Sequence, residues 1–186
     1  MKENTAFSLI EILVVIAIIA TIAAIAVPVY KNYRDKATVV KGVVMLAGIR
    51  QGVQQFYASH GRMPNVDETI PTPSGNYVVF DALHDDTGYL VSTGLPPYIE
   101  SILVAHNNNY PGNTGQFYAR LIFSSSAFPN MDANNRRIHL AWRMVNGDLA
   151  FVCGRFSQGA STTSDFGFTD INLLPQGCNY DGTVNF

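Results

Sequence analysis

One stretch constrains this chain more than any other. From Phe7 to Val29 it reads FSLIEILVVIAIIATIAAIAVPV, and Glu11 is its one charge. As an α-helix it extends roughly 34 Å, against ~30 Å for the hydrocarbon layer of a bilayer. Three fates are open to such a helix: a secretory signal peptide, a plain membrane anchor, or a membrane segment that later packs against other protein. The first is disfavoured, because the run is too long and no small-residue cleavage site follows it before Tyr30.

Glu11 bears on the other two. An acidic side chain within a membrane helix costs ~2.5 kcal/mol or more at the centre, so a plain anchor has no use for it. Its place about one turn from the helix start leaves a second account open, in which the carboxylate snorkels to the headgroups. Ala17, Ala20, Ala23, Ala24 and Ala26 interleave with the branched residues. Small residues let helices approach closely in an apolar medium, where packing drives association. Pro28 removes one backbone hydrogen bond and loosens the turn before it. The mixture describes a helix that packs on neighbours and bends.

The residues Ala6-Phe7-Ser8-Leu9-Ile10-Glu11, followed by the unbroken apolar run and by Pro28, Tyr30 and Tyr33, resemble the N-terminus of the type IV pilin and pseudopilin family. The short polar leader Met1–Ala6, with Lys2, is similar to that of the type IVa class. The resemblance implies that a membrane aspartyl peptidase, the prepilin peptidase, cuts between Ala6 and Phe7 and methylates the new amine of Phe7. It implies also that Glu11 pairs with the N-terminal amine of a neighbouring subunit, which supplies the partner a buried charge requires. Phe7, Glu11 and Pro28 are then the assembly residues. The family usually carries Gly before the cut, where this chain has Ala6. A second departure is the charge pattern: Lys31, Arg34 and Lys36 follow the run, while Lys2 and the initiator amine precede it. The positive-inside rule alone would leave the C-terminal part in the cytoplasm, but large domains translocate regardless of local charge. The family places the head outside.

Beyond Val29 the helical pattern continues. Val39, Val43, Leu46, Ile49, Val53 and Phe56 recur at spacings of three and four and make one apolar stripe, with Lys36, Lys41, Arg50 and Gln54 mostly off it. Gly61 and Pro64 stop the run. The spacing predicts one helix from about Phe7 to Ser59, roughly 80 Å long. The expected division is a leader over 1–6, a transmembrane and filament-core segment over 7–29, an amphipathic half over 30–59 and a globular head over 60–186.

Within the head, residues 65–115 are rich in Pro, Gly, Asn and Ser and predict a long connection with short elements near Tyr77–Phe80 and Pro97–Val104. Phe117–Ser124, Ile138–Val145 and Leu149–Phe156 read as strands. Asn146-Gly147 between the last two is a two-residue hairpin signal. The expectation is an α+β head: a small antiparallel sheet of three or four strands with the helix stripe on one face, as in the type IV pilin fold. Two cysteines occur, Cys153 and Cys178. By composition they are a bonded pair in an exported chain or buried thiols in a cytosolic one. The family resemblance implies the bond, closing a C-terminal loop over 153–178.

No catalytic or cofactor motif is present. His60, His84, His106 and His139 are scattered without metal-ligand spacing. Asp81, His84, Asp85 and Asp86 form a small acidic cluster, for which a solvated loop is the better account than calcium, so no metal site is assigned. Arg136, Arg137, Arg143 and Arg155 would make a basic patch for nucleic acid only if clustered and free; solvated or ion-paired arginines are the stronger account. Tyr57, Tyr110 and Tyr118 read as core; Ser161–Ser164 fit an O-linked glycan site and plain loop composition equally well. Overall charge is 14% of residues with a net of −2, which favours neither nucleic acid nor acidic substrates.

The sequence thus predicts a structural subunit of a type IV pilus and not an enzyme. Its expected partners are copies of itself and other pilins in a helical filament, the prepilin peptidase, inner-membrane assembly machinery driven by a separate ATPase, and membrane lipid before assembly. The alternatives are a type II secretion pseudopilin, against which the C-terminal cysteines argue, and a minor pilin whose head is a DNA or surface receptor.

Overall fold

The computed structural model describes residues 8–73, 75–81, 94–107, 116–132, 135–145, 148–158, 171–178 and 180–184. The chain falls into two compact units, Met1–Asp35 and Lys36–Phe186. Helix α1, Leu9–His60, enters both. It begins after Ser8, whose carbonyl accepts the amides of Glu11 (3.1 Å) and Ile12 (3.3 Å). It ends at Gly61, whose positive φ of 67° lets its amide close on the Tyr57 carbonyl at 2.8 Å. Helix formation thus needs nothing beyond what the sequence signals.

In the first unit every residue from Ser8 to Arg34 is exposed. Pro28 lies inside the helix, and the Thr21 hydroxyl is absorbed by a bond to the Ile18 carbonyl at 2.8 Å.

In the second unit the helix buries Val39, Leu46, Ile49, Val53 and Phe56 of the stripe expected from spacing, with Val43 half-buried, and also buries Gly42, Gly48 and Gly52. The strands are β1 (Thr69–Thr72), β2 (Gly75–Val78), β3 (Phe80–Asp81), β4 (Ile99–Asn107), β5 (Gln116–Phe123), β6 (Arg137–Val145), β7 (Asp148–Gln158) and β8 (Tyr180–Val184). β1 and β2 form a separate antiparallel pair, and the other six make one sheet in the order β3-β4-β5-β6-β7-β8. The central four are antiparallel, as expected. Val145 pairs with Asp148, so the β6–β7 connection is two residues long at Asn146-Gly147, which themselves lie outside the described residues.

The two edges differ from the expectation. β3 pairs parallel with β4, and β8 parallel with β7. Neither short edge strand has a run long enough to show a period of two. Their pairing is set by non-local hydrogen bonding, which local sequence does not encode.

One row of core side chains crosses the sheet at Val104, Ala119, Leu140 and Cys153. Phe117, Leu121, Phe123, Ile138 and Trp142 share that face and are fully or almost fully buried. Phe117 meets Trp142 edge-on at 5.2 Å, and Phe123 meets Phe128 likewise at 5.4 Å. The opposite face is buried too, at Ser101, Leu103, Tyr118, Arg120, Arg137 and His139. A sheet covered by one helix would have left that face wet.

Candidate assembly surface

The first unit presents an apolar cylinder. Leu9, Ile10, Ile16, Ile19, Ile22 and Ile25 are between 58% and 80% exposed. Ala17, Ala20 and Ala24 fall at i, i+3 and i+7 and so share one side. Among the described residues of this segment, Glu11 is the single acid before Asp35. The sequence Ser8-x-x-Glu11 has the spacing of a capping box, and Glu11 stands in the first turn, where the helix dipole favours an anion. The carboxylate therefore sits at the one end of the helix where its charge is least costly. Ala6, Phe7 and the leader lie outside the described residues.

The second unit shows how the head is closed. Cys153 in β7 is bonded to Cys178, with Cα atoms 4.3 Å apart and 25 residues between them in sequence. Cys178 is placed by a turn in which its amide donates to the Pro175 carbonyl at 3.0 Å. Next to Cys153, Gly154 adopts φ 152°, and a Cβ there would lie 2.3 Å from the Tyr180 carbonyl oxygen, so β8 packs where only glycine fits. A cleft of about 280 Å³ opens beside the disulfide, lined among others by Leu46, Arg50, Leu140, Phe151 and Gln176. The Arg50 guanidinium lies 3.5 Å from the centre of the Phe151 ring. That geometry fixes the cation by its flat face rather than by a carboxylate.

The prokaryotic N-terminal methylation motif matches residues 1–27. Over 161 residues the chain is 35% identical to a type IV major pilin protein PilE1 of Neisseria gonorrhoeae, covering 86% of this chain and 74% of that one. The chain belongs to the type IV pilin family. A second type IV major pilin protein PilE1 from the same organism is 28% identical over 181 residues, 92% of this pilin and 72% of the relative. A fimbrial protein of Neisseria meningitidis serogroup B is 36% identical over 77 residues, 39% of this pilin and 45% of that chain. The long apolar helix and the β-rich head are those of a type IV pilin, a structural subunit of a filament.

With the family fixed, the remaining candidates sort by place. Arg136 is buried; it donates through Nε to the Phe123 carbonyl at 2.6 Å and through Nη1 to the Met131 carbonyl at 3.1 Å, and Nη2 meets the Glu100 carboxylate at 2.5 Å. It clamps the loop between β5 and β6. Arg137 is buried as well, so neither is presented to the phosphates of a nucleic acid. The side chains of Arg143, Arg155, Asp81 and His106 lie outside the described residues, as do His84, Asp85, Asp86, Tyr110 and Ser161–Ser164. Among the described residues no group of three His, Cys, Asp or Glu is placed to hold a metal. His60 stacks on Phe56 at 4.1 Å, and His139 is buried in β6.

Sequence reasoning missed the packing role of Gly42 and Gly52. A Cβ at Gly42 would sit 2.5 Å from Cζ of Phe123, and one at Gly52 would sit 2.6 Å from the Pro71 carbonyl oxygen. The available signal was their phase. Both fall on the apolar stripe, Gly42 four residues before Leu46 and Gly52 four before Phe56, where a helix-weakening residue needs a packing reason.

Proposed function

We propose that this pilin is made with a leader over 1–6, is cut between Ala6 and Phe7 by the prepilin peptidase, and carries an N-methylated Phe7. The segment 7–29 then holds the subunit in the inner membrane, with the amphipathic half 30–59 and the head 60–186 outside the cytoplasm. Inner-membrane machinery draws it out to pack with copies of itself and other pilins in a surface pilus. That pilus serves adhesion, twitching motility or DNA uptake. One observation carries the proposal: residues 8–29 are apolar except for Ser8, Thr21 and the one charge, Glu11, yet exposed at every position. Burying one Leu or Ile side chain fully stabilises by about 1.5–3 kcal/mol. A helix with so many uncovered has water as its least favourable surroundings. Lipid before assembly and neighbouring helices after it are the two media that fit.

Glu11 then decides register. In lipid it reaches the headgroups; in a filament that route closes, and an unpaired carboxylate would be costly. The amine of Phe7 on an adjacent subunit exists only after cleavage, so processing creates the counter-charge and keeps unprocessed chains out. Pro28 leaves the Ala24 carbonyl without its helical amide, which lets the helix bend as neighbours pack.

The test is to count surface filaments while measuring membrane levels of each variant. Glu11→Ala and Glu11→Gln should leave the subunit in the membrane with its head folded and reduce filaments steeply. Intact-mass analysis of sheared filaments should show loss of Met1–Ala6 and gain of one methyl group. A surface chain retaining Met1, or normal filaments from Glu11→Ala as the sole copy of an abundant subunit, would refute the mechanism.

A further inference from the structure

We propose that the turn following the apolar run, formed by Tyr30, Lys31, Tyr33 and Arg34, is a recognition surface for anionic phospholipid headgroups that fixes the depth of the unassembled subunit on the outer face of the membrane. The proposal rests on the membrane-held state described above. If residues 7–29 fill the hydrocarbon layer, the next turn enters the headgroup layer by length alone.

Two pairs of side chains meet there. Tyr30 and Tyr33 are three residues apart on one helix face and are 71% and 70% exposed. A tyrosine ring has an apolar body and a polar tip, and the bilayer interface is the medium that satisfies both. Lys31 and Arg34 are likewise three apart, and both are exposed. Like charges at that spacing repel each other on an isolated helix, and a phosphate between them turns the repulsion into attraction. Arg34 is shared with Asp35, whose Oδ1 lies 3.1 Å from Nη2 and 3.3 Å from Nε. Asp35 therefore moderates the surface without cancelling it, and Lys36 follows in the sequence. Cations at this end of the span oppose the orientation in which the head is exported. Contact with anionic headgroups offsets that conflict, which neutral residues at these positions would have avoided.

The measurement is lipid selectivity by electron spin resonance, with the full-length chain in phosphatidylcholine vesicles holding traces of spin-labelled phosphatidylglycerol or phosphatidylcholine. The ratio of the two association constants at the protein boundary is the readout. Residues 30–36 carry two net positive charges, and each near a lipid surface is worth roughly fivefold, so the preference for phosphatidylglycerol should be several-fold with a ceiling of about twenty-fivefold. Lys31→Gln with Arg34→Gln brings the segment to zero net charge and should remove most of the preference, leaving what Lys2 and the initiator amine supply at the other end of the span. Asp35→Asn should raise the ratio, and Lys2→Gln should lower it by less than the double variant does. A wild-type chain that resists alkaline extraction yet shows no preference overturns the proposal. So does a double variant that keeps the full preference, or a Lys2→Gln chain that loses it. A chain stripped from the vesicles by alkali overturns the membrane-held state itself.

Discussion

Gly52→Ala tests how the helix meets β1. On an exposed helix the change would stabilise by about 1 kcal/mol, because alanine is the better helix former. Here the new methyl would stand 2.6 Å from the Pro71 carbonyl oxygen, 2.7 Å from Cγ2 of Ile70 and 3.0 Å from Cγ2 of Thr72, where ordinary contact begins at 3.4 Å. The nearest atom is backbone, held in the register that pairs Pro71 with Asn76, and Ile70 is fully buried. Relief therefore requires β1 and its partner strand to shift as a unit. Overpacking of this kind costs about 1–3 kcal/mol, and rigid backbone places it in the upper half of that range. The propensity gain offsets part, leaving a net loss of about 1–2 kcal/mol. For a chain of this size that is a fall of roughly 2–8 °C in unfolding midpoint. The assay is thermal unfolding of the detergent-solubilised subunit followed by near-ultraviolet circular dichroism, with exposed Gln51→Ala as control, expected within about 0.5 kcal/mol of wild type. A Gly52→Ala chain as stable as wild type, or more so, would mean that the helix and β1 do not approach closely.

Two more outcomes are expected of the head. Arg62 and the Asn65 amide hold the Glu68 carboxyl down at about 2; a depressed folded value means that the contribution is present above the unfolded range near 4.5 and is lost as pH falls toward 2. Glu68→Gln should therefore be less stable than wild type at neutral pH and equal to it near pH 2, read as the difference in midpoint against pH. Cys153→Ser with Cys178→Ser should cost about 3 kcal/mol, given the 25-residue separation, and a reductant should lower the wild-type midpoint to that of the variant while leaving the variant itself unmoved.

Sequence legibility followed locality. The helix, its stop at Gly61 and the stripe from Val39 to Phe56 are i to i+4 properties, and each was readable from neighbours in the chain. So were β5, β6 and β7, where aromatic and branched residues alternate. β3 and β8 were not, since strands of two and five residues carry no period and take their partners from far along the chain. Arg136 was readable as a cation but not as a buried clamp, because its acceptors at Phe123 and Glu100 are 13 and 36 residues away. Gly42 and Gly52 were legible as helix weakeners and illegible as contact points until Phe123 and Pro71 had places. For Glu11 the residue and its oddity were plain from composition; its proposed partner belongs to another molecule, and no single chain can display it.

The bond from Cys153 to Cys178 has a consequence for how this head tolerates change. Gly154, adjacent to one cysteine, pairs with Tyr180, two residues past the other. The crosslink therefore fixes the origin of β8 at both ends of the intervening chain. Inside a ring already closed, doubling the length of a connection costs only about 0.6 kcal/mol. Insertions between Gln158 and Ile171 should accordingly leave the midpoint within roughly 1–2 °C of wild type, while the same insertion in the turn joining β6 to β7 displaces a register on which the core row depends. Within the ring, Leu173 and Leu174 belong to the core and Gly154–Gln158 to the sheet, so tolerance to change should be confined to the stretch between Gln158 and Ile171, with the crosslink holding β7 and β8 together.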